Sequence, residues 1–425
     1  MYNARVSRWV FLLTAALLAG RAIPAAAQKG QYIGAGGCAS SNCHGGTTPA
    51  AENVSRILTT EYAIWASQDK HAGAAKVLDN ERSKRMAEIL GLDNASTDRR
   101  CTACHVAGSP EKSRSDGVAC EACHGPAEKW LGPHTQANSH AASVAAGMID
   151  TKNLAVRSSI CLDCHLGSGD RVVDHELIAA GHPDLQFELD TFSWAQPSHH
   201  REPKRAAGNT LPRMRIWAVG QAIRLADGMR QLAQRAETRW PEFAQLECSQ
   251  CHHDLRAESW RVQRGYPGRR PGTLQINPSV TEVARILSAQ SGGQQHAALD
   301  AALSKVTALV AERIADGPAI AQAARAVAQQ ADALARRVEQ QDFTPELGRN
   351  MVRALVTDIP RISGQGVYAA EQATMSLDSL LAALSGSEQK QQPAMAELYN
   401  YLERPSAYNG RDFAAMFRKA AGRID

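Results

Sequence analysis

The chain has 425 residues, of which 44% are hydrophobic and 21% are charged. This length fits two or three domains, and the hydrophobic fraction can supply their cores. The formal net charge is +4, and three arginines within the first 27 residues leave +1 for the remainder. Such a balance excludes a strongly basic protein and gives no reason to expect a nucleic-acid partner.

Residues 1–27 have the three parts of an export signal. Arg5 and Arg8 give a positive start, residues 10–19 form an apolar run, and residues 24–27 are a proline and three alanines. The apolar run is short for a membrane-spanning helix, and small residues after it are typical of a cleavage site. We predict a secretory signal peptide cut near its end and a periplasmic or otherwise exported protein. An uncleaved anchor is the alternative, and no later apolar run is long enough to span a membrane.

Five cysteine pairs, each followed directly by a histidine, dominate residues 28–275. Cys-x-x-Cys-His occurs four times, and a fifth copy has two extra residues between its cysteines. In this motif both thiols can bond to the vinyl groups of one haem while the histidine binds its iron. The predicted attachment cysteines and proximal histidines are Cys38, Cys43 and His44; Cys101, Cys104 and His105; Cys120, Cys123 and His124; Cys161, Cys164 and His165; and Cys248, Cys251 and His252.

These motifs contain all ten cysteines of the chain, which leaves none for a separate disulfide or a free nucleophile. A redox dithiol or a zinc site can use Cys-x-x-Cys, but neither requires the histidine that follows. For Cys38 and Cys43 a disulfide is the alternative. We predict five covalent haem c groups, whose attachment outside the cytoplasm agrees with the export signal. Their roughly ten propionates would make the holoprotein more acidic than its sequence, which again argues against a nucleic-acid partner.

Further histidines in the same region could be second axial ligands. Two imidazoles per iron favour low-potential electron-transfer haems, and there are more than enough for five irons. Eight of the nine histidines outside the motifs lie in this region: His71, His134, His140, His175, His182, His199, His200 and His253.

Local context favours three of these histidines. A short predicted helix could present His71, while His134 and His182 each adjoin a proline, which restricts the backbone around a ligand. Methionine is the competing axial ligand, and Met148 and Met214 are the possible ones. Neither methionine has a comparable context.

The fold class predicted is mainly α. Residues 28–205 have weak apolar periodicity, so we expect a loop-rich tetrahaem domain of short helices wrapped round a haem stack, because each haem is itself a large apolar surface. Residues 206–275 would hold a linking helix and the fifth motif. An apolar stripe from Ile216 to Ala233 predicts that helix, of about 25 residues, leading towards Trp240.

Residues 278–425 differ sharply in composition, being rich in alanine, glutamine and arginine and free of cysteine. Apolar residues recur there at helical spacing, and Gly317, Pro345 and Pro360 punctuate the pattern. We predict a haem-free bundle of about four to six helices. Its role would be to cap the haem domain or to dock a partner. The apolar stripes are Leu299, Leu303, Val306 and Val310; Ile320, Ala324, Val327, Ala331, Leu334 and Val338; and Leu347, Met351 and Leu355.

Four stretches resemble the cytochrome c-554 family of multihaem c-type cytochromes, which is related in haem arrangement to hydroxylamine oxidoreductase and pentahaem nitrite reductase. They are residues 32–38, 65–72, 101–106 and 117–126, and the last, Gly-Val-Ala-Cys-Glu-Ala-Cys-His-Gly-Pro, is the most specific. The resemblance covers roughly residues 30–200. The wide first motif, the fifth motif and the long C-terminal region depart from the family pattern.

The resemblance implies particular ligand pairs. His134 would face His44, His71 would face His165, and either His199 or His200 would face His124. It also implies that the haem of His105 lacks a strong sixth ligand and meets small molecules. His175 and His182 have no counterpart, so either could close the haem of His105 or that of His252.

Two functions follow from these patterns. The first is transfer of single electrons between a redox donor protein and an acceptor protein through closely spaced haems. The second is an oxidoreductase acting on hydroxylamine, nitric oxide or nitrite at one five-coordinate haem. The sequence favours electron transfer, because it lacks the Cys-x-x-Cys-Lys motif typical of the related nitrite reductases.

Overall fold

The computed structural model describes residues 30–55, 57–109, 111–201, 211–253, 256, 258, 272–291, 294–385 and 393–422. The predicted signal peptide therefore lies outside the described residues. Within these ranges the chain is mainly α-helical, as predicted, and its β structure consists of isolated bridges between Ser168 and Arg171 and between Leu246 and Ile276.

Residues 30–201, called here the motif region, form short helices joined by loops, in agreement with the predicted architecture. Each α-helix has between five and ten residues. They are α1 (Glu61–Gln68), α2 (Glu81–Leu90), α3 (Arg99–His105), α4 (Cys120–His124), α5 (His140–Ala145), α6 (Leu154–Leu162), α7 (His175–Ala179) and α8 (Leu189–Ala195).

Local side-chain caps start several of these helices. The carboxylates of Asp98 and Asp174 and the amide oxygen of Asn153 accept hydrogen bonds from first-turn N–H groups of α3, α7 and α6. Such caps satisfy N–H groups that have no partner inside the helix. Local hydrogen bonding thus fixes where α3 and α6, which carry motif cysteines, and α7, which carries His175, begin.

A long helix, α9 (Pro212–Thr238), follows the motif region. Its 27 residues agree with the predicted helix of about 25. Trp217 and Leu225 are fully buried, and α9 packs against α6, α8 and the later helices. The helix predicted as a link is thus also part of the hydrophobic core that continues through the C-terminal helices.

Seven further α-helices lie in the described part of residues 278–422, whereas the sequence predicted four to six. Together with α9 they form what we call the bundle. The predicted number was too low because the sequence analysis took its stripes from residues 299–355 and assigned none to the last two helices, which have 10 and 12 residues. The seven are α10 (Pro278–Ser291), α11 (Gln294–Glu312), α12 (Gly317–Gln340), α13 (Pro345–Ser363), α14 (Val367–Ser385), α15 (Pro393–Leu402) and α16 (Gly410–Ala421).

The predicted apolar stripes face the inside of the bundle. All four stripe residues of α11 and all six of α12 are buried, as are Met351 and Leu355 on α13. Helix α12 packs along α9, while α13 and α14 pack against each other. None of the described helices is both long enough and apolar enough to cross a membrane.

Candidate functional site

The second, third and fourth cysteine–histidine motifs lie on helical turns, whereas the first and fifth have only their first cysteine in one. Helix α3 carries the second motif and α4 the third, while α6 ends at the fourth, whose Cys164 and His165 lie in the π-helical turn Asp163–Gly167. The 3₁₀ turns Ala35–Cys38 and Cys248–Gln250 carry cysteines of the first and fifth motifs. Helical geometry places residues three apart on one face, so the two thiols of a regular motif can reach the same haem.

Four motif histidines each face a second imidazole at nearly the same distance. The ring centroids are 6.3 Å apart for His44 and His134, and 6.2 Å apart for His165 and His71. A metal–imidazole bond of about 2 Å puts the centroids of two rings on opposite sides of one iron about 6 Å apart. These pairs thus have the spacing that one iron between two imidazoles requires.

The same spacing recurs at two motifs whose second ligand the sequence left open. His182 faces His105 at 6.4 Å, and His175 faces His252 at 6.0 Å. The resemblance implied a haem without a strong sixth ligand at His105, whereas here His182 lies at ligand distance. Sequence analysis left His175 and His182 open between these two motifs, because neither has a counterpart in the family that the sequence resembles.

For the remaining motif histidine, the electrostatic neighbours are His199 and His44. Burial, then the charges of His199 and His44, lower the pKa of His124 to about 4. The pKa of His165 is also lowered to about 4, first by burial. Both rings are therefore neutral at pH 7, the form that binds a metal. The side chain of His200 is exposed.

At three of the candidate axial histidines, a hydrogen bond occupies Nδ1 and leaves Nε2 free to bind a metal. The Nδ1 atom of His105 contacts the carbonyl oxygen of Ala74 at 3.0 Å, and that of His182 contacts the carbonyl oxygen of Pro183 at 2.7 Å. The Nδ1 atom of His134 contacts a carbonyl oxygen in the same way. With Nδ1 donating to oxygen, the neutral ring presents Nε2 as its acceptor.

Carboxylates take the place of the carbonyl at two further rings. Glu61 Oε2 lies 3.1 Å from Nδ1 of His44, and Asp69 Oδ1 lies 2.9 Å from Nδ1 of His71. Each of these hydrogen bonds raises the pKa of its histidine. Sequence analysis missed both carboxylates, although Asp69 is only two residues from His71 and begins the 3₁₀ turn that carries it.

The motifs are close neighbours in space. The thiols of Cys38 and Cys120 share a hydrogen bond, which lowers the pKa of Cys38 to about 7. The thiols of Cys104 and Cys164 share another, which raises the pKa of Cys104. Helix α4 packs against α6. The first motif thus adjoins the third, the third adjoins the fourth, and the fourth adjoins the second.

Residues 117–126 position several of these groups at once. Gly117 has φ of 67°, and a Cβ there would lie 2.6 Å from the backbone oxygen of His71. That oxygen accepts a hydrogen bond from Val118 N, while the oxygen of Val118 accepts one from Trp65 Nε1. A glycine is therefore required where the third motif meets the turn of His71.

Glu121, inside the third motif, has a structural role. Its side chain is buried, and its carboxylate accepts hydrogen bonds from the backbone N–H groups of Ile33, Gly34 and Ala127. A buried carboxylate needs such donors. It thereby fixes the segment that leads into the first motif.

Two of the remaining candidates are accounted for by other contacts. Nε2 of His140, the nitrogen that would bind iron, contacts Asp150 at 3.0 Å, and Met214 is fully buried in the core of the bundle. Cys38 and Cys43 are not joined by a disulfide. In the described ranges, no three or more histidine, cysteine or carboxylate side chains form a group able to hold a bare metal ion, so nothing there supports the zinc alternative.

Comparison with known families agrees with this chemistry. Residues 38–125 match the family described as cytochrome c554 and c-prime, which supports a c-type cytochrome carrying haem. No curated protein and no solved structure matches the chain. The matched residues contain the first three motifs and His71.

Proposed function

We propose that this protein is an exported pentahaem c-type cytochrome that passes single electrons between a donor protein and an acceptor protein. The observation that supports this most strongly is the set of four imidazole pairs, which lie 6.0–6.4 Å apart. His199 is also near enough to His124 to lower its pKa. Each haem supplies an iron that cycles between ferric and ferrous states. The chain supplies two thiols and two imidazoles for each one.

The neighbouring motifs define a route through the molecule. From the first motif, contacts lead to the third, the fourth and the second. The fifth adjoins the second, because Arg100 on α3 contacts Asp174, at the start of the helix that carries His175. We propose that electrons follow this order. Cys43 and Cys251, in the first and last motifs of the route, are the exposed cysteines, so partner proteins would exchange electrons at its two ends.

Catalysis on a small nitrogen compound is the weaker alternative. It requires an iron with an open position, where the substrate can bind. His182 lies at ligand distance from His105, the haem at which the resemblance implied an opening. Every motif histidine has an imidazole neighbour, which supports electron transfer.

The intact mass of the matured, exported protein tests the cofactor count. We expect five haems and loss of residues 1–27. Four haems would remove the assignment at Cys38 and Cys43, where the spacing is unusual. A colourless protein with zinc or with disulfides at the motifs would contradict the proposal as a whole.

A second experiment tests the ligand pairs and the alternative function together. His182→Ala should convert one ferric haem from low spin to high spin and create a site for nitric oxide. His140→Ala is the matched control, because His140 pairs with Asp150, and it should leave all haems low spin. If His182→Ala changes nothing, the pairing of His182 with His105 is wrong.

A further inference from the structure

Two of the proposed axial histidines contact a negatively charged acceptor, whereas His105, His134 and His182 contact backbone carbonyl oxygens. Nδ1 of His44 contacts the carboxylate of Glu61 at 3.1 Å, and Nδ1 of His71 contacts that of Asp69 at 2.9 Å. At the second motif, in contrast, both His105 and His182 contact backbone carbonyl oxygens. The proposed haems of His44 and His165 thus differ from that of His105 in the charge beside their axial ligands.

The two carboxylates are held in place by neutral donors. Glu61 also accepts a hydrogen bond from Leu58 N at 2.7 Å. Asp69 accepts one from His71 N at 2.9 Å and one from the side chain of Gln196 at 2.9 Å. These donors fix the carboxylates without cancelling their negative charge.

Burial strengthens the effect of that charge. The side chain of Asp69 is 5% exposed and that of Glu61 is 14% exposed. Charges interact more strongly where water is excluded. An anionic acceptor also draws the Nδ1 proton towards itself and makes Nε2 a stronger donor to the metal. Both effects favour ferric over ferrous iron, which lowers the reduction potential.

We propose that Glu61 and Asp69 set the potentials of the haems at Cys38/Cys43 and Cys161/Cys164 below that of the haem at Cys101/Cys104. They are positioning residues that act through His44 and His71. This inference rests on the proposed pentahaem function and adds a direction of electron transfer to it. On the proposed route the second motif follows the fourth, so the lower potential at the fourth favours electron transfer towards the second motif, in the direction away from Cys43.

The test is a spectroscopic redox titration of the matured holoprotein at fixed pH. Glu61→Gln and Asp69→Asn keep a side-chain acceptor of similar shape and remove its charge. Each should raise the midpoint potential of one haem, with about a tenfold change in its reduction equilibrium, or about 59 mV for one electron. The double variant should raise the midpoint potentials of two haems.

Glu88→Gln is the matched control, because Glu88 is exposed and pairs with Arg85 on the surface of α2. This substitution removes one negative charge at a site that does not contact the imidazoles, so it should leave the midpoint potentials unchanged. If Glu61→Gln and Asp69→Asn match this control while all haems stay bound and low spin, the inference is overturned and the proposed function stands. If instead the wild-type protein itself contained no haem or gave no low-spin spectrum, the proposed function would be contradicted.

Discussion

The motif region and the bundle are stabilised in different ways. Besides the residues where α6 and α8 join the bundle core, the motif region has a small hydrophobic cluster of Leu78, Ala87 and Ala95. The bundle has one continuous core with fully buried Trp217 and Phe413. Short helices with few apolar contacts cannot offset the conformational entropy of folding by themselves. The comparison therefore indicates that the motif region depends on its haems for a core.

The largest expected effect comes from leaving the haems out. In protein made without haem attachment, we expect residues 30–150 to be digested by protease while α9 and the helices packed on it resist, because only the bundle has a core of its own. Limited proteolysis with mass spectrometry of the fragments measures this. Matured holoprotein is the control and should resist in both regions. Equal protection of the motif region without haem would break the comparison.

A smaller effect is expected from deleting a side chain in each hydrophobic cluster. Phe413→Ala should lower the free energy of unfolding of the bundle by about 3–5 kcal/mol, and Leu78→Ala should cost about 2 kcal/mol. Denaturant unfolding would be followed by far-ultraviolet circular dichroism for the helices and by haem absorbance for the motif region.

The circular dichroism signal and the haem absorbance report on the bundle and the motif region separately. Phe413→Ala should move the circular dichroism transition more than the haem transition, and Leu78→Ala should do the reverse. If both variants move both transitions equally, the two regions unfold as a single unit and the distinction between them is wrong.

The smallest expected effect concerns Glu371, a largely buried residue of α14. Burial, and then the charge of Asp184, raise the pKa of Glu371 from its ordinary 4.5 to about 7. The folded state therefore holds this proton more tightly than the unfolded chain. The contribution of Glu371 to stability is therefore highest below pH 4.5, falls by at most about 3 kcal/mol as the pH rises to about 7, and is level above it.

Glu371→Gln should remove that loss, so the variant should be more stable than the wild type at pH 8 and have a flatter pH profile of thermal unfolding. Glu397→Gln is the control, because Glu397 forms an exposed ion pair with Lys419, and it should keep the wild-type slope. An unchanged slope in Glu371→Gln would show that the proton is held elsewhere.

The sequence predicted the parts of the structure that depend on local pattern. The stripe of α12 repeats over 24 residues, and all of its six apolar positions are buried. A repeat of that length identifies a helix and its buried face without knowledge of the fold. The motif cysteines are similarly local, since their spacing alone brings them together.

Contacts between distant segments could not be predicted in the same way. His182 and His175 were equivalent candidates for two motifs, and their assignment depends on how the loops between α6 and α8 pack. Glu61 reaches His44 across 17 residues, and no local spacing rule brings them together. The sequence therefore named the candidate ligands, and its family resemblance named the partners of His44 and His165, but it left open which of His175 and His182 faces His105 and which faces His252.

The electron paramagnetic resonance spectrum of the oxidised, matured protein tests the central claim most directly, namely that two imidazoles hold each iron. The ring planes meet at 16° and 29° at the first and fifth motifs, and at 87° at the second and fourth. Near-perpendicular rings leave two iron orbitals almost equal in energy, whereas near-parallel rings separate them. The account predicts only low-spin ferric signals, with two strongly anisotropic centres and two rhombic ones. A high-spin signal equal to one haem would contradict it.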